Sequence, residues 1–301
     1  MKIGVDLGGS HVGVGLIDGN KIIGEIKEKN FTFEDKEHIE KVIINRIEEF
    51  TNAILEENHL KIEDIDLLGI ASPGTISRGS IIKAGNLGIQ NFELVSLLEQ
   101  RLNVPIYIRN DGKCAALAEK EYGAMKNYND CVFVNIGTGI GGAVFMGGKL
   151  LEPKRFSGFE LGHMVIDKDG PLCTCGKHGC FETFASVKCL RNRIRTTLNI
   201  TGDMSGQQLR EEIIPNHQEE VKTDILEYIN YLKIGICNLI DIFEPEVLCF
   251  GGSFSYWWDT DLYKKLLKEI NASDSTFNKT KPEIVVAEFK NNAGIIGATI
   301  I

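Results

Sequence analysis

The chain has 301 residues, 43% of them apolar and 25% charged, with a formal net charge of −9. That is the make-up of a globular protein long enough for two domains, each with its own core. The acidic balance without a long basic run argues against a nucleic-acid surface, and no apolar run approaches the roughly 20 residues of a membrane span.

The N-terminal stretch reads as three short strands, Lys2–Leu7, Val12–Ile17 and Ile22–Lys27, joined by Gly8-Gly9-Ser10 and Asp18-Gly19-Asn20. The Asp-Gly connection is a strong hairpin signal, and the opening strand lacks the succession of a signal peptide. A helix over Glu40–Glu57 follows, with Ile43, Ile47, Phe50 and Ile54 on one stripe. A strand over Ile65–Ala71 runs into Ser72-Pro73-Gly74-Thr75, a turn segment holds Asn86-Leu87-Gly88, and a helix covers Leu94–Leu102. The strand Pro105–Arg109 delivers Asn110-Asp111, which open a helix over Gly112–Tyr122. The second half begins with Cys131–Ile136, a Gly137–Gly142 turn and Ala143–Met146. Later elements are helices at Phe184–Leu198, Thr223–Phe243 and Leu262–Ile270, at most a short helix between Asp203 and Asn216, strands at Val247–Phe250 and Ile284–Ala287, and a packed terminal helix within Ala293–Ile301.

Two stretches echo each other. Val5-Asp6-Leu7-Gly8-Gly9-Ser10 and Val134-Asn135-Ile136-Gly137-Thr138-Gly139 both read apolar strand, polar residue, glycine turn, at a constant offset of 129 residues. A repeat of that size points to two halves of like topology facing a cleft. A glycine-rich turn between strands exposes successive backbone N–H groups to an anion, so two such turns can hold the phosphates of a nucleotide. Neither matches the Walker pattern or opens a helix as a dinucleotide fingerprint does. Asp6 is placed either to hold Mg²⁺ or to make an Asx-turn onto the Gly8–Gly9 backbone. A third turn, Gly251-Gly252-Ser253, offers bare backbone to a ring or ribose.

Between Glu160 and Glu182 lie His163, Cys173, Cys175 and Cys180, a Cys₃His set of the kind that binds structural zinc, with Gly170, Gly176 and Gly179 letting the loop close. His178 is the rival fourth ligand. Eight cysteines without a secretory signal suit a reducing cytoplasm rather than disulfides. Asp111, at a strand-to-helix junction, is a candidate proton acceptor, and helix capping is the equal alternative. Asn110 offers a donor and an acceptor for a polyol, and Glu160 and Glu182 offer acceptors for vicinal hydroxyls.

Taken together, Asp6–Ser10, Pro73-Gly74, Asn86-Leu87-Gly88, Asn110-Asp111-Gly112-Lys113-Cys114-Ala115-Ala116, Gly137–Gly142, Glu160-Leu-Gly-His163 and Cys173-x-Cys175-Gly-x-x-Gly-Cys180-x-Glu182 resemble the ROK family of sugar kinases in order and over nearly the whole chain. The resemblance implies an α/β protein with the duplicated actin-like, hexokinase-type (ribonuclease H-like) two-domain fold and a central cleft. Its domains would be residues 1–110 plus 290–301 and residues 111–289. It implies ATP-dependent phosphorylation of a hexose at O6, with Asp111 as general base and Gly74, Asn86, Asn110, Glu160, His163 and Glu182 around the sugar. It also implies Asp6, Gly8, Gly9, Ser10, His11, Gly137, Thr138 and Gly139 at the ATP phosphates with Mg²⁺, and Gly251, Gly252 and Ser253 at the nucleoside. Zinc would be held by His163, Cys173, Cys175 and Cys180, which favours His163 over His178. A cytoplasmic homodimer is implied too, with small-molecule sugar and ATP as partners.

The chain departs from the family pattern at Ser10, His11, Gly112 and Gln90, and the last two leave the sugar open. Glucokinase is the first expectation, and N-acetylmannosamine or N-acetylglucosamine kinase the alternative. A fructokinase or a non-catalytic sugar sensor comes after these. With the first strand opening the sequence, the helix-turn-helix domain of the family's repressors is not expected.

Overall fold

The computed structural model describes residues 1–24, 27–154, 158–273 and 280–301. The chain divides into two compact units, Met1–Lys126 with Pro153–Gly158 and Asn291–Ile301, and Asn127–Glu152 with Phe159–Lys290. No helix among the described residues is long and apolar enough to cross a membrane.

In the first unit, β1 (Lys2–Leu7) and β2 (His11–Asp18) form an antiparallel hairpin that pairs Asp6 with Gly13. β3 (Lys21–Ile22) and β4 (Lys27–Asn30) both add to β2. The strand expected over Ile22–Lys27 is thus two pieces, with Glu25 and Ile26 outside the described residues. β5 (Leu67–Ser72) runs parallel to β1 and is buried along its whole length. Both faces of this sheet are covered, as the continuous apolar reading of β1 and β5 requires. The helix α1 (Ile39–Glu57) packs on β2 with Ile43, Ile47 and Ile54 fully buried. On β1 and β5 lies the terminal helix Ala293–Ala298.

Two features of this unit escape the sequence pattern. β6 (Thr75–Ser77), β7 (Ser80–Ala84) and β8 (Ile89–Phe92) form a separate antiparallel sheet where only turns were expected. After α2 (Leu94–Glu99), β9 (Ile106–Asn110) completes the main sheet and leads into α3 (Asp111–Glu121). The first unit includes α3 and runs to Lys126, past the boundary expected at residue 110. The reason is packing. A Cβ on Gly297 would sit 1.7 Å from the Cys114 carbonyl oxygen, and one on Gly69 would sit 1.9 Å from that of Ala298. Bare backbone therefore locks the terminal helix to α3 and β5 at once.

The second unit repeats the strand plan. β10 (Cys131–Ile136) and β11 (Ile140–Met146) are an antiparallel hairpin extended by β12 (Lys149–Leu150). β13 (Val247–Gly251) lies parallel to β10, and β14 (Glu283–Val286) parallel to β13. The order β12-β11-β10-β13-β14 matches β3-β2-β1-β5-β9 strand for strand, which gives the echo between Asp6 and Asn135 a structural basis. The expected helix Phe184–Leu198 is two helices, α4 (Phe181–Ala185) and α5 (Val187–Thr197), because the Ser186 hydroxyl accepts from Cys189 N–H and starts a new N-terminus. The long helix Lys222–Phe243 buries Ile229, Leu232, Ile236 and Leu239 in this unit's core.

Candidate functional site

Parallel strands deliver their next residues at the carboxyl edge of the sheet, where ligands of open α/β sheets bind. In the first unit Asp6, Ala71 and Arg109 form one row across β1, β5 and β9. The residues just beyond that row are Gly8–Ser10, Ser72–Gly74 and Asn110-Asp111. Gly74 adopts φ 87°, and a Cβ there would meet the Lys83 carbonyl oxygen at 2.2 Å, so only glycine fits. Asn110 donates from Nδ2 to the Gly74 carbonyl (3.2 Å) and accepts at Oδ1 from Lys113 N–H (3.3 Å). It is therefore Asn110 that caps α3, and Asp111 is the first helical residue, with its Oδ1 accepting from Gly112 N–H at 2.7 Å. The N-cap position is thus filled by Asn110, while Asp111 Oδ1 satisfies one donor of the first turn.

The first glycine turn closes with a Gly8 N–H bond to the His11 carbonyl (3.0 Å). Asn86 comes to this turn, since a Cβ on Gly9 would lie 2.6 Å from Asn86 Nδ2. His11 Nε2 stands 3.5 Å from Asp6 Oδ2 and 3.7 Å from Glu28 Oε1. The hydrogen bond to Asp6 raises the imidazole above its ordinary range, burial opposes it, and the charges of Asp6 and Glu28 add to the rise. These groups line a cavity of ≈ 310 Å³ with Gly13, Asn291, Asn292 and Ile295. Glu28, Asn291 and Asn292 were not picked out from the sequence. The β2–β4 register, which pairs Gly13 with Glu28, is the signal that finds the first of them.

In the second unit, β10 and β13 carry Asn135 opposite Gly251. The Gly137–Gly139 turn closes by a Gly137 N–H bond to the Gly139 carbonyl at 2.8 Å, with Thr138 exposed at its tip. Ser253 Oγ donates to the Ile136 carbonyl (3.5 Å), and Gly252 approaches the Asn135 side chain, so the phosphate and nucleoside turns expected from the sequence adjoin.

The metal loop occupies the same unit. His163 ends a 3₁₀ turn, Leu161–His163, that follows Glu160. Gly179 takes φ 71°, and a Cβ there would be 1.5 Å from the Asp167 carbonyl oxygen, so the loop closes only with glycine. The donor atoms of His163, Cys173, Cys175 and Cys180 all lie within 4.8 Å of one another. His163 Nδ1 is 3.5 Å from Cys173 Sγ, and Cys175 Sγ is 3.6 Å from Cys180 Sγ. A tetrahedron with metal–sulfur bonds of about 2.3 Å has edges of about 3.8 Å, so the donors fit such an ion. Burial pushes the Cys180 thiol up to about 12, and neighbouring thiols add to this, so a cation is what would hold it as thiolate. His178 turns away, with its Nδ1 3.1 Å from the Gly170 carbonyl. Glu182, the second residue of α4, accepts at Oε2 from Ile140 N–H (2.8 Å), directly after the second glycine turn.

A sequence profile of the ROK family matches residues 2–301. The chain belongs to the ROK family. Its relatives include the glucokinase of Thermotoga maritima, 28% identical over 99% of this chain and 96% of the enzyme. They also include the xylose repressor of Caldicellulosiruptor bescii, 28% identical over 98% of this chain and 76% of the repressor. Among solved structures, a ROK family glucokinase from Streptomyces griseus in complex with glucose and AMPPNP superposes with TM-score 0.78 at 25% identity, covering 99% and 97% of the two chains. The fold is thus the two-domain, actin-like hexokinase type of the ROK sugar kinases, as the sequence implied. Within this ROK chain, Asn86 lies between β7 and β8, His11 begins β2, and Glu182 is in α4, just past the last cysteine of the metal loop.

Proposed function

We propose that this ROK protein is an ATP-dependent hexose kinase that forms ADP and hexose 6-phosphate. The observation that carries the reading is the Asn110–Asp111 pair at the edge of β9. Asn110 takes the cap, and the Asp111 carboxyl group stands at the first helical position, half-buried beside the helix N-terminus. Asp111 accepts the proton of the attacking sugar hydroxyl, an acid–base role worth about 10²–10⁴ in rate. Gly74, Asn86, Asn110, Glu160, His163 and Glu182 bind sugar hydroxyls. Gly8–His11 and Gly137–Gly139 cradle the ATP phosphates through backbone N–H groups, and Gly251–Ser253 take the nucleoside. Mg²⁺, which neutralises phosphate charge when bound, is assigned to Asp6. Zinc is assigned to His163, Cys173, Cys175 and Cys180 as a structural ion that fixes the sugar-facing residues of its loop.

Glucose is the first candidate acceptor and an N-acetylhexosamine the next. A sugar-responsive regulator is the second reading, favoured by the 28% identity to a xylose repressor. A coupled ADP-release assay over a panel of hexoses and N-acetylhexosamines separates them. Turnover on one sugar supports the kinase and names its acceptor. Sugar binding without ADP release on any sugar moves the assignment to the regulator.

A further inference from the structure

The metal loop grips the chain at Ile140, directly after the second glycine turn, by both backbone groups. Its N–H donates to Glu182 Oε2 at 2.8 Å. Its carbonyl is packed against the His163 turn so closely that a Cβ on Gly162 would lie 1.9 Å from that oxygen. Glu182 and Gly162 belong to the two ends of the loop, one following Cys180 and the other preceding His163. Both ends are themselves held. The Phe181 N–H donates to the Met164 carbonyl at 2.8 Å, and a Cβ on Gly235 would strike the Phe181 ring at 2.3 Å.

Gly139 shows what the contact demands. It is not among the residues with positive φ, so its backbone would accept alanine. Yet a Cβ there would lie 2.3 Å from Glu182 Oε2 and 3.1 Å from Glu182 Cδ, with nothing but Glu182 among its nearest atoms. The glycine makes room for the carboxylate. One oxygen of Glu182 is committed to the turn, which leaves Oε1 for a ligand.

We propose that Glu182 is a positioning residue that ties the metal loop to the phosphate turn through Ile140, so that sugar affinity and nucleotide affinity are coupled inside the second unit. This rests on the kinase reading, with Glu182 facing the sugar and Gly137–Gly139 facing the phosphates. A ligand that draws Glu182 into place orders the turn, and a turn held by phosphate presets Glu182, as reciprocity requires.

The test uses the full-length, metal-loaded protein and measures the dissociation constant of the preferred hexose without nucleotide, and of a non-hydrolysable ATP analogue without sugar. Gly139→Ala removes no sugar-contacting side chain but displaces the Glu182 carboxylate, and it should weaken sugar binding about tenfold, the scale of one charge-assisted hydrogen bond. Glu182→Gln keeps an acceptor for Ile140 N–H and should retain analogue affinity while losing sugar. Glu182→Ala should lose both. The Gly139→Ala/Glu182→Ala double variant should bind sugar no worse than Glu182→Ala alone, since the two changes break one link. Sugar affinity of Gly139→Ala within about twofold of the parent, or independent effects that multiply in the double variant, would overturn the proposal. If the parent binds no hexose, the kinase reading falls, and amide exchange at Ile140 decides the link. At least about tenfold faster exchange in Glu182→Ala, restored in Glu182→Gln, supports it, and unchanged exchange overturns it.

Discussion

Asn110 caps the helix that Asp111 begins: Asn110 Oδ1 accepts from Lys113 N–H, three residues on, at 3.3 Å. The two neighbours have split roles that either could fill alone, one stabilising the helix and the other projecting a charge at its positive end. Asp111→Asn should therefore fold with a melting temperature close to the parent and lose about 10²–10⁴ in kcat. Asn110→Ala should instead cost about 1 kcal/mol of stability through the lost cap. Calorimetry and the ADP-release assay on both variants check the split, and near-parental turnover in Asp111→Asn would remove it from proton transfer.

The metal loop predicts different outcomes for two histidines only fifteen positions apart in sequence. His163→Ala and Cys175→Ser should release the bound metal, whereas His178→Ala should keep it, because the His178 ring faces the Gly170 carbonyl. Metal content by mass spectrometry of purified protein reads this directly. Chelator treatment should lower the melting temperature of the parent and weaken sugar binding with it. Metal retention in His163→Ala would shift the fourth ligand elsewhere.

His11 sets a pH dependence of folding in magnesium-free buffer. Its folded-state pKa lies above the ordinary value because it bonds to Asp6, with burial opposing. The stabilisation is therefore fully present below the unfolded value of about 6.5 and is lost as pH rises through the raised folded value. Denaturant midpoints should fall over that window in the parent and stay flatter in His11→Asn. Parallel profiles from about pH 5.5 to 8.5 would show that the Asp6–His11 contact contributes nothing.

Glycines at the terminal helix predict the largest stability losses. Gly69→Ala and Gly297→Ala each drive a Cβ into a carbonyl oxygen, 1.9 and 1.7 Å away, and backbone cannot rotate aside. Each should cost about 3 kcal/mol or more, at the upper end of overpacking. Gly85→Ala, with nothing within 4 Å, should stay within about 0.5 kcal/mol. Urea melts of the three variants rank them.

What could be read from the sequence was what local pattern determines. The paired glycine turns, the apolar strands before them and the cysteine loop each announce themselves within a dozen residues. The long helix over Lys222–Phe243 matches its apolar stripe to within one residue of the expected start. The β6–β8 sheet did not announce itself. Its strands are three to five residues long, too short to show an alternating pattern, and Asn91 stands at positive φ inside β8. The break at Ser186 sat inside an unbroken helical periodicity, because a single hydroxyl decided it. The choice between His163 and His178 was likewise a matter of three-dimensional closure. Phe159, held at φ 59° just before Glu160, gave no warning in the sequence and marks a strained approach to the loop.

The sandwiching of Ala293–Ala298 among β1, β5 and α3 has a bearing on how the polypeptide matures at the ribosome. The first strands made cannot bury their second face until the last dozen residues emerge. Most of the intervening unit is made before that, with only its edge strand β14 arriving just ahead of the terminal helix, so the opening hairpin must wait, exposed, for the tail to arrive.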